Sequence, residues 1–273
     1  MNLLPRSFSR ALVPIRQSAI TKLVDVSRLT AEERCTLEIG LHPAFATNQR
    51  NPEPQHIVLI EVDNSLSMAG APIDEMNRAV QEEFIPTLQN DPLIACSIVI
   101  GVAGFSTSGS RALQILHPFS PPAVFRPPII EAKSGTPHCQ RTCEAIALVA
   151  ALSEGMRKAF EIPVRHSWRF DFGDGQPGDL NHHDVAIHAS RVLAAENNIE
   201  CFYFGVGAHA DMNYLHSLEQ PGREARRLRD AGDWRQFFSW LYKSIRIASQ
   251  SMVGEEIELP DITGGNRPFR TRA

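Results

Sequence analysis

Two hydrophobic rhythms alternate along most of this chain. Short unbroken apolar runs are followed by longer stretches in which apolar residues recur every three or four positions. Residues 57–62 are apolar apart from Glu61, which predicts a buried strand ending at Asp63. Ile73, Met76, Val80, Phe84 and Leu88 share one helical face, so a helix is expected over residues 73–88, with Pro72 in its first turn. The apolar run from Leu93 to Phe105 predicts a second strand over residues 94–105. A short third one is expected at residues 113–116, after a Ser/Gly turn near residue 108. Five prolines between Pro118 and Pro128 read as an irregular loop. Ala145, Val149, Leu152, Met156 and Phe160 align on a helix over residues 142–160. A strand at residues 168–172 then runs into Gly173-Asp174-Gly175. A helix over 183–197, a strand over 199–206 and a helix over 233–250 follow, the last with Trp234, Phe237, Phe238, Leu241 and Ile245 facing inward.

Strands that alternate with helices of about 15 residues imply parallel pairing through right-handed crossovers. The expected fold is therefore an α/β, doubly wound (Rossmann-like), mostly parallel sheet with one antiparallel edge strand. Three regions are expected: an N-terminal arm and linker over residues 1–54, the α/β domain over 55–250 and a C-terminal tail over 251–273. The arm contains no acid in residues 1–24 but carries Arg6, Arg10, Arg16 and Lys22, with Leu4, Phe8, Leu12, Ile15 and Ala19 at helical spacing interrupted by Pro5 and Pro14. It reads as a poorly ordered tail that packs on the domain or a partner, with a targeting or docking arm as the alternative. A strand is expected at residues 34–41 and a linker at 43–54, where Pro43, Pro52 and Pro54 cluster.

Composition narrows the function classes. Apolar residues make up 43 % and charged residues 21 %, which excludes global disorder. A net charge of -4 gives no basic excess for nucleic acid. No apolar run is long enough to be read as a transmembrane segment. The five cysteines, Cys35, Cys96, Cys139, Cys143 and Cys201, are odd in number and scattered, so a reducing, cytoplasmic setting is expected. Cys139 and Cys143 have a zinc-compatible spacing, but no second pair follows, and a structural role is expected.

The candidate chemistry lies at strand carboxyl ends, where ligands of such sheets bind. After the first strand comes Asp63-Asn64-Ser65-Leu66-Ser67-Met68. Ser134-Gly135-Thr136-Pro137 precedes the middle helix, and Gly173-Asp174-Gly175-Gln176-Pro177 follows a later strand. An Asp-x-Ser-x-Ser triplet alone is weak evidence, because Asp and Ser also serve as turn and cap residues. Three such loops at one sheet edge are a stronger signal. They offer two carboxylates and three hydroxyls, hard oxygen donors suited to Mg²⁺, Mn²⁺ or Ca²⁺ rather than zinc or copper. Neutral hydroxyl ligands leave the ion under-neutralised and able to accept a carboxylate from another molecule.

Asp63-x-Ser65-x-Ser67 with Thr136 and Asp174-Gly175 resembles the metal-ion-dependent adhesion site (MIDAS) of von Willebrand factor A (vWA) domains. The Ala-Gly-Ala-Pro-Ile-Asp-Glu-Met-Asn continuation after Met68 and the aromatic last helix resemble the stand-alone bacterial vWA proteins of the TerY type. The likeness covers about residues 55–250. It implies that Ser65, Ser67 and Thr136 contact a metal directly and that Asp63 and Asp174 act through water. Two departures stand out. Thr136 is followed by Pro-His-Cys-Gln-Arg-Thr-Cys instead of a direct helix entry, which makes Thr142 a rival ligand. Gly173 replaces a residue that is often Thr.

The resemblance implies a non-enzymatic, metal-dependent adaptor or scaffold whose partner supplies an Asp or Glu. In TerY-type systems the partner is a protein kinase and phosphatase of a stress or conflict system. The alternatives are an adaptor subunit of an AAA+ ATPase (chelatase-like) machine and a metal-dependent hydrolase with His182 or His138 as base. His182, His183 and Asp184, with His138 and Asp179, also allow a second, nitrogen-rich metal site. The plainer reading starts a helix at His183, capped by Asn181, and leaves His138 in a loop. The arginines of residues 219–230 are expected in a solvated loop and edge strand. No phosphate-cradling loop, nucleophile elbow or kinase signature occurs.

Overall fold

The computed structural model describes residues 31, 40–42, 53–105, 111–133, 135–261 and 269–272. The arm of residues 1–24, most of the 43–54 linker, Cys35 and Ser134 lie outside them. Of the strand expected at 34–41 only the last two residues are described, and Leu41 makes a parallel bridge to Phe119.

Six described strands form the central sheet: β1 His56–Val62, β2 Ile98–Phe105, β3 Leu113–Ser120, β4 Ser167–Gly173, β5 Ile199–Val206 and β6 Arg226–Leu228. Their order is β3-β2-β1-β4-β5-β6. The β2–β3 pair is antiparallel and the other pairs are parallel. The expected mostly parallel architecture with one antiparallel edge strand is thus the observed one. Order reverses between β1 and β4, so the topological switch point lies between the strands that end at Asp63 and Asp174.

Helices cover both faces, and the inner strands β1, β2, β4 and β5 are accordingly buried along their length. On one face lie α1 (residues 71–89, with a π turn at Val80–Phe84), α2 (Pro92–Ser97) and α6 (Ala231–Gln250). Trp168, Phe170 and Phe172 of β4 and Phe202 and Phe204 of β5 point to this side; the four phenylalanines pack on Trp234, Phe237 and Trp240, and Trp168 packs on Phe170 and Phe202. The other face is covered by α3 (His138–Phe160), α4 (residues 183–196, with a π turn at Ala189–Leu193) and α5 (Met212–Leu218).

Five local readings change. The run from Leu93 begins as helix α2, because Asp91 caps it through Leu93 N–H and Ile94 N–H and Pro92 sits in its first turn. Strand β3 continues through Pro118, which an edge strand tolerates because one side of its backbone needs no ladder partner. His138 opens α3 instead of standing in a loop, so that helix starts one turn earlier than expected. Asn181 does not cap α4; residues 180–182 form a 3₁₀ turn that runs into it. In the stretch expected as a tail, β7 (Glu256–Leu259) and β8 (Phe269–Arg272) pair antiparallel, and Ile257 and Leu259 join the core. Among the described residues, no helix is long and apolar enough to cross a membrane.

Candidate metal centre

The three predicted loops meet at the carboxyl edge of the sheet, beside the switch point. Asp63 N–H continues the β1–β4 ladder by donating to Phe172 C=O at 2.6 Å. Asp63 Oδ1 then accepts from Ser65 N–H at 2.8 Å, which turns the chain so that Ser65 Oγ and Ser67 Oγ lie 2.8 Å apart. Asn64 fastens this turn from below, accepting from Phe105 N–H at 2.6 Å. Lys133 N–H donates to Asn64 C=O at 2.5 Å, and a parallel bridge joins Ser65 to Lys133. The segment leading to Thr136 is thereby laid beside the serine loop. Gly178 N–H donates to Thr136 C=O at 2.8 Å, which joins the second loop to the third. In that third loop Asp174 Oδ1 accepts from Gln176 N–H at 2.9 Å. Asp179 accepts from Cys139 N–H and Gln140 N–H, a carboxylate placed on the amino terminus of α3.

Asp63, Ser65 and Asp174 are buried, Thr136 is half-buried and Ser67 is exposed. The cradle therefore opens to solvent on its Ser67 side. Asp63 Oδ2 is buried and has no hydrogen-bond partner among the described residues. Burial raises the Asp63 carboxyl above its usual range, Arg141 and Ser65 pull it back down, and the nearby Asp174 adds to the rise. A buried acceptor left without a donor is costly. A divalent cation, or water held by one, supplies what Asp63 lacks, so these residues fit a hard cation.

Gly173 is explained by the same geometry. A Cβ there would lie 2.9 Å from the Asp63 Cβ, too close for any side chain, the often-found threonine included. Gly173→Ala is expected to push Asp63 out of place and weaken Mg²⁺ binding at least about tenfold, with an overpacking cost of about 1–3 kcal/mol. Calorimetry of the folded variant showing wild-type affinity would refute this.

Thr142, the rival to Thr136, is fully buried within α3, where Arg169 Nη2 approaches its hydroxyl at 3.3 Å. It is engaged in the core instead of facing the opening. In the serine loop Met68 is also buried, whereas Leu66 is 64 % exposed. Two of the candidate histidines, His138 and His183, are committed elsewhere. His138 is buried, with Nδ1 2.8 Å from Tyr214 Oη and Nε2 3.2 Å from Asp171. His183 Nε2 pairs with Ser217 Oγ at 2.7 Å. Among the described residues no group of three or more His, Cys, Asp and Glu side chains is placed to hold a metal, which argues against the nitrogen-rich alternative. Cys139 and Cys143 lie one turn apart on α3, and burial pushes both thiols up to about 11, away from the thiolate that zinc needs.

Sequence reasoning missed the charged cluster beneath the cradle. Glu61 and Asp171 are register partners on β1 and β4, and Arg169 follows the same face. Arg169 pairs with both oxygens of Glu61 and reaches Asp171 at 2.7 Å. Arg141 from α3 pairs with Asp171 and lies 3.2 Å from Glu61. Burial alone would raise the Asp171 carboxyl, but Arg141, His138 and Arg169 outweigh it and hold it well below the usual range. The available signal was the alternation of charged and aromatic residues in Trp168-Arg169-Phe170-Asp171-Phe172. It marks a strand with one face on aromatics and the other on ion pairs.

No protein-family model and no curated protein matches the chain. Solved structures do. The pilus adhesin SpaC from Lactobacillus rhamnosus GG, in its open conformation, matches at TM-score 0.54 and 15 % identity over 72 % of this chain and 30 % of its own. Proximal thread matrix protein 1 (PTMP1) from the mussel byssus, with a zinc-occupied MIDAS motif, matches at TM-score 0.48 and 12 % identity over 77 % of this chain and 50 % of its own. The chain has a vWA-like fold. At 15 % identity the likeness to SpaC shows the fold alone, and the chain spans less than a third of SpaC and half of PTMP1.

Proposed function

We propose that this protein is a non-enzymatic binding module that docks an acidic side chain of a partner protein onto a MIDAS-type divalent cation, Mg²⁺ first among Mg²⁺, Mn²⁺ and Ca²⁺. Asp63, Ser65, Ser67, Thr136 and Asp174 would hold the ion. The observation that carries the reading is the orphaned, buried Oδ2 of Asp63, set beside the paired Ser65 and Ser67 hydroxyls. The ion would supply the positive charge to which a partner Asp or Glu adds. This chain supplies the rest of the contact: Ser67 opens the cradle to solvent, and exposed Leu66 offers an apolar flank. The buried, bonded state of His138 supports binding over hydrolysis, because a general base must face the substrate. By its resemblance to TerY-type proteins, the partner proposed is a cytoplasmic protein kinase and phosphatase pair. An AAA+ ATPase is the second candidate.

Asp63→Ala is expected to abolish Mg²⁺ binding while shifting the folding free energy by no more than about 1 kcal/mol, since the lost bond to Ser65 N–H offsets the removal of a buried charge. Thr136→Ala should weaken binding, and Thr142→Ala should not. Calorimetric titration with MgCl₂ reads all three. Unchanged affinity in Asp63→Ala would reject the reading. Pull-down in Mg²⁺ and in EDTA, with mass spectrometry, separates the two partner classes.

A further inference from the structure

Arg141 lies in the stretch that departs from the vWA pattern, a few residues beyond Thr136. Its side chain is fully buried, and its guanidinium has three anchors: Asp171, Glu61 at 3.2 Å, and the ring of Phe105, whose centroid is 4.2 Å away. Each anchor adjoins the candidate metal loops. Glu61 precedes Asp63 on β1, Asp171 precedes Asp174 on β4, and Phe105 N–H is held by Asn64. Among the described residues Arg141 Nη1 is buried without a hydrogen-bond partner, as is Asp63 Oδ2. A fixed positive charge therefore sits among the residues that lead into an oxygen cradle suited to a cation.

We propose that Arg141 sets the strength of the metal site by electrostatic opposition, holding affinity for the bare ion low so that stable occupancy depends on the carboxylate a partner brings. This rests on the metal-binding reading above. The two arginines Arg141 and Arg169 balance the two carboxylates Glu61 and Asp171. Without Arg141 the cluster carries one net negative charge, which attracts a cation through a medium less screening than water. Without the Asp171 charge it carries one net positive charge and repels it. A purely structural role for Arg141 predicts only looser binding when it is replaced. Opposition predicts tighter binding, and the two roles separate by sign.

The test is calorimetric titration of the full chain with MgCl₂ at neutral pH, with circular dichroism to confirm folding. Arg141→Met is expected to bind about tenfold more tightly than wild type, and Arg141→Lys, which keeps the charge, to match wild type. Asp171→Asn is expected to bind about tenfold more weakly, and it gives an independent sign if Arg141→Met does not fold. Equal or weaker binding by folded Arg141→Met, or unchanged binding by Asp171→Asn, overturns the proposal and leaves the metal site standing. A wild-type chain that takes up no Mg²⁺ overturns the metal-binding reading itself.

Discussion

Replacing Arg169 with leucine is expected to cost about 3–5 kcal/mol of folding stability, the range for leaving a buried charge without its partner. Arg169 is fully buried and spends its guanidinium on four neighbours: both oxygens of Glu61, Asp171 at 2.7 Å, Tyr203 Oη at 3.0 Å and Thr142 Oγ1 at 3.3 Å. Glu61 and Asp171 face each other in register across β1 and β4. Once Arg169 is gone, two like charges stand side by side, with Arg141 and the neighbouring His138 left beside them. The double variant Arg169→Leu, Glu61→Leu should recover part of the loss, because removing both members of a buried pair costs less than removing one. Urea denaturation measures both. A loss below about 1 kcal/mol for the single variant would show that water reaches the cluster.

The second large effect is a pH dependence set by His56. This residue opens β1, is fully buried, and stands edge-on to Trp168 at 4.2 Å between ring centroids. Burial, with Arg165 and His166 nearby, lowers its pKa to about 3. The unfolded chain takes up a proton near the ordinary value of about 6.5, while the folded chain stays neutral. Protonation therefore favours the unfolded state. The contribution is intact above about pH 6.5 and drains away as pH falls toward 3, at about 1.4 kcal/mol per pH unit. Between pH 6.5 and pH 5 stability should drop by about 2 kcal/mol from this residue alone. His56→Leu should flatten that slope, and subtracting its profile from wild type cancels the other histidines. Parallel profiles for the two proteins would reject the assignment.

The fold was largely legible because parallel strands buried on both faces leave unbroken apolar runs, and amphipathic helices leave a period near 3.6. Where two elements share one apolar run, hydrophobicity carries no boundary. Residues 93–105 contain a helix and a strand; the Asp91 cap and Pro92 mark where the helix starts, and the apolar run continues unbroken across its junction with the strand at Ser97–Ile98. The serine loop and Asp174 were visible as loop residues at strand ends. The charged cluster was not, because Arg141 reaches it from a helix that sits far along the chain from Glu61. Pairing of that kind depends on three-dimensional proximity, which periodicity does not encode. Gly173 looked like a missing hydroxyl in the sequence; in the fold its lack of a side chain is what lets Asp63 stand where it does.

The two margins of the central sheet set how the protein behaves when crowded. At one margin β6 is only three residues long, too short to template a neighbouring chain. At the other, β3 carries Pro118, which has no N–H to offer, and Leu41 already occupies the position beside Phe119. Among the described residues, one rim is short and the other is interrupted by Pro118 and by the Leu41 bridge. Concentrated solutions should therefore resist strand-to-strand polymerisation, and self-association, where it occurs, should run through side chains such as exposed Leu66 instead of the backbone.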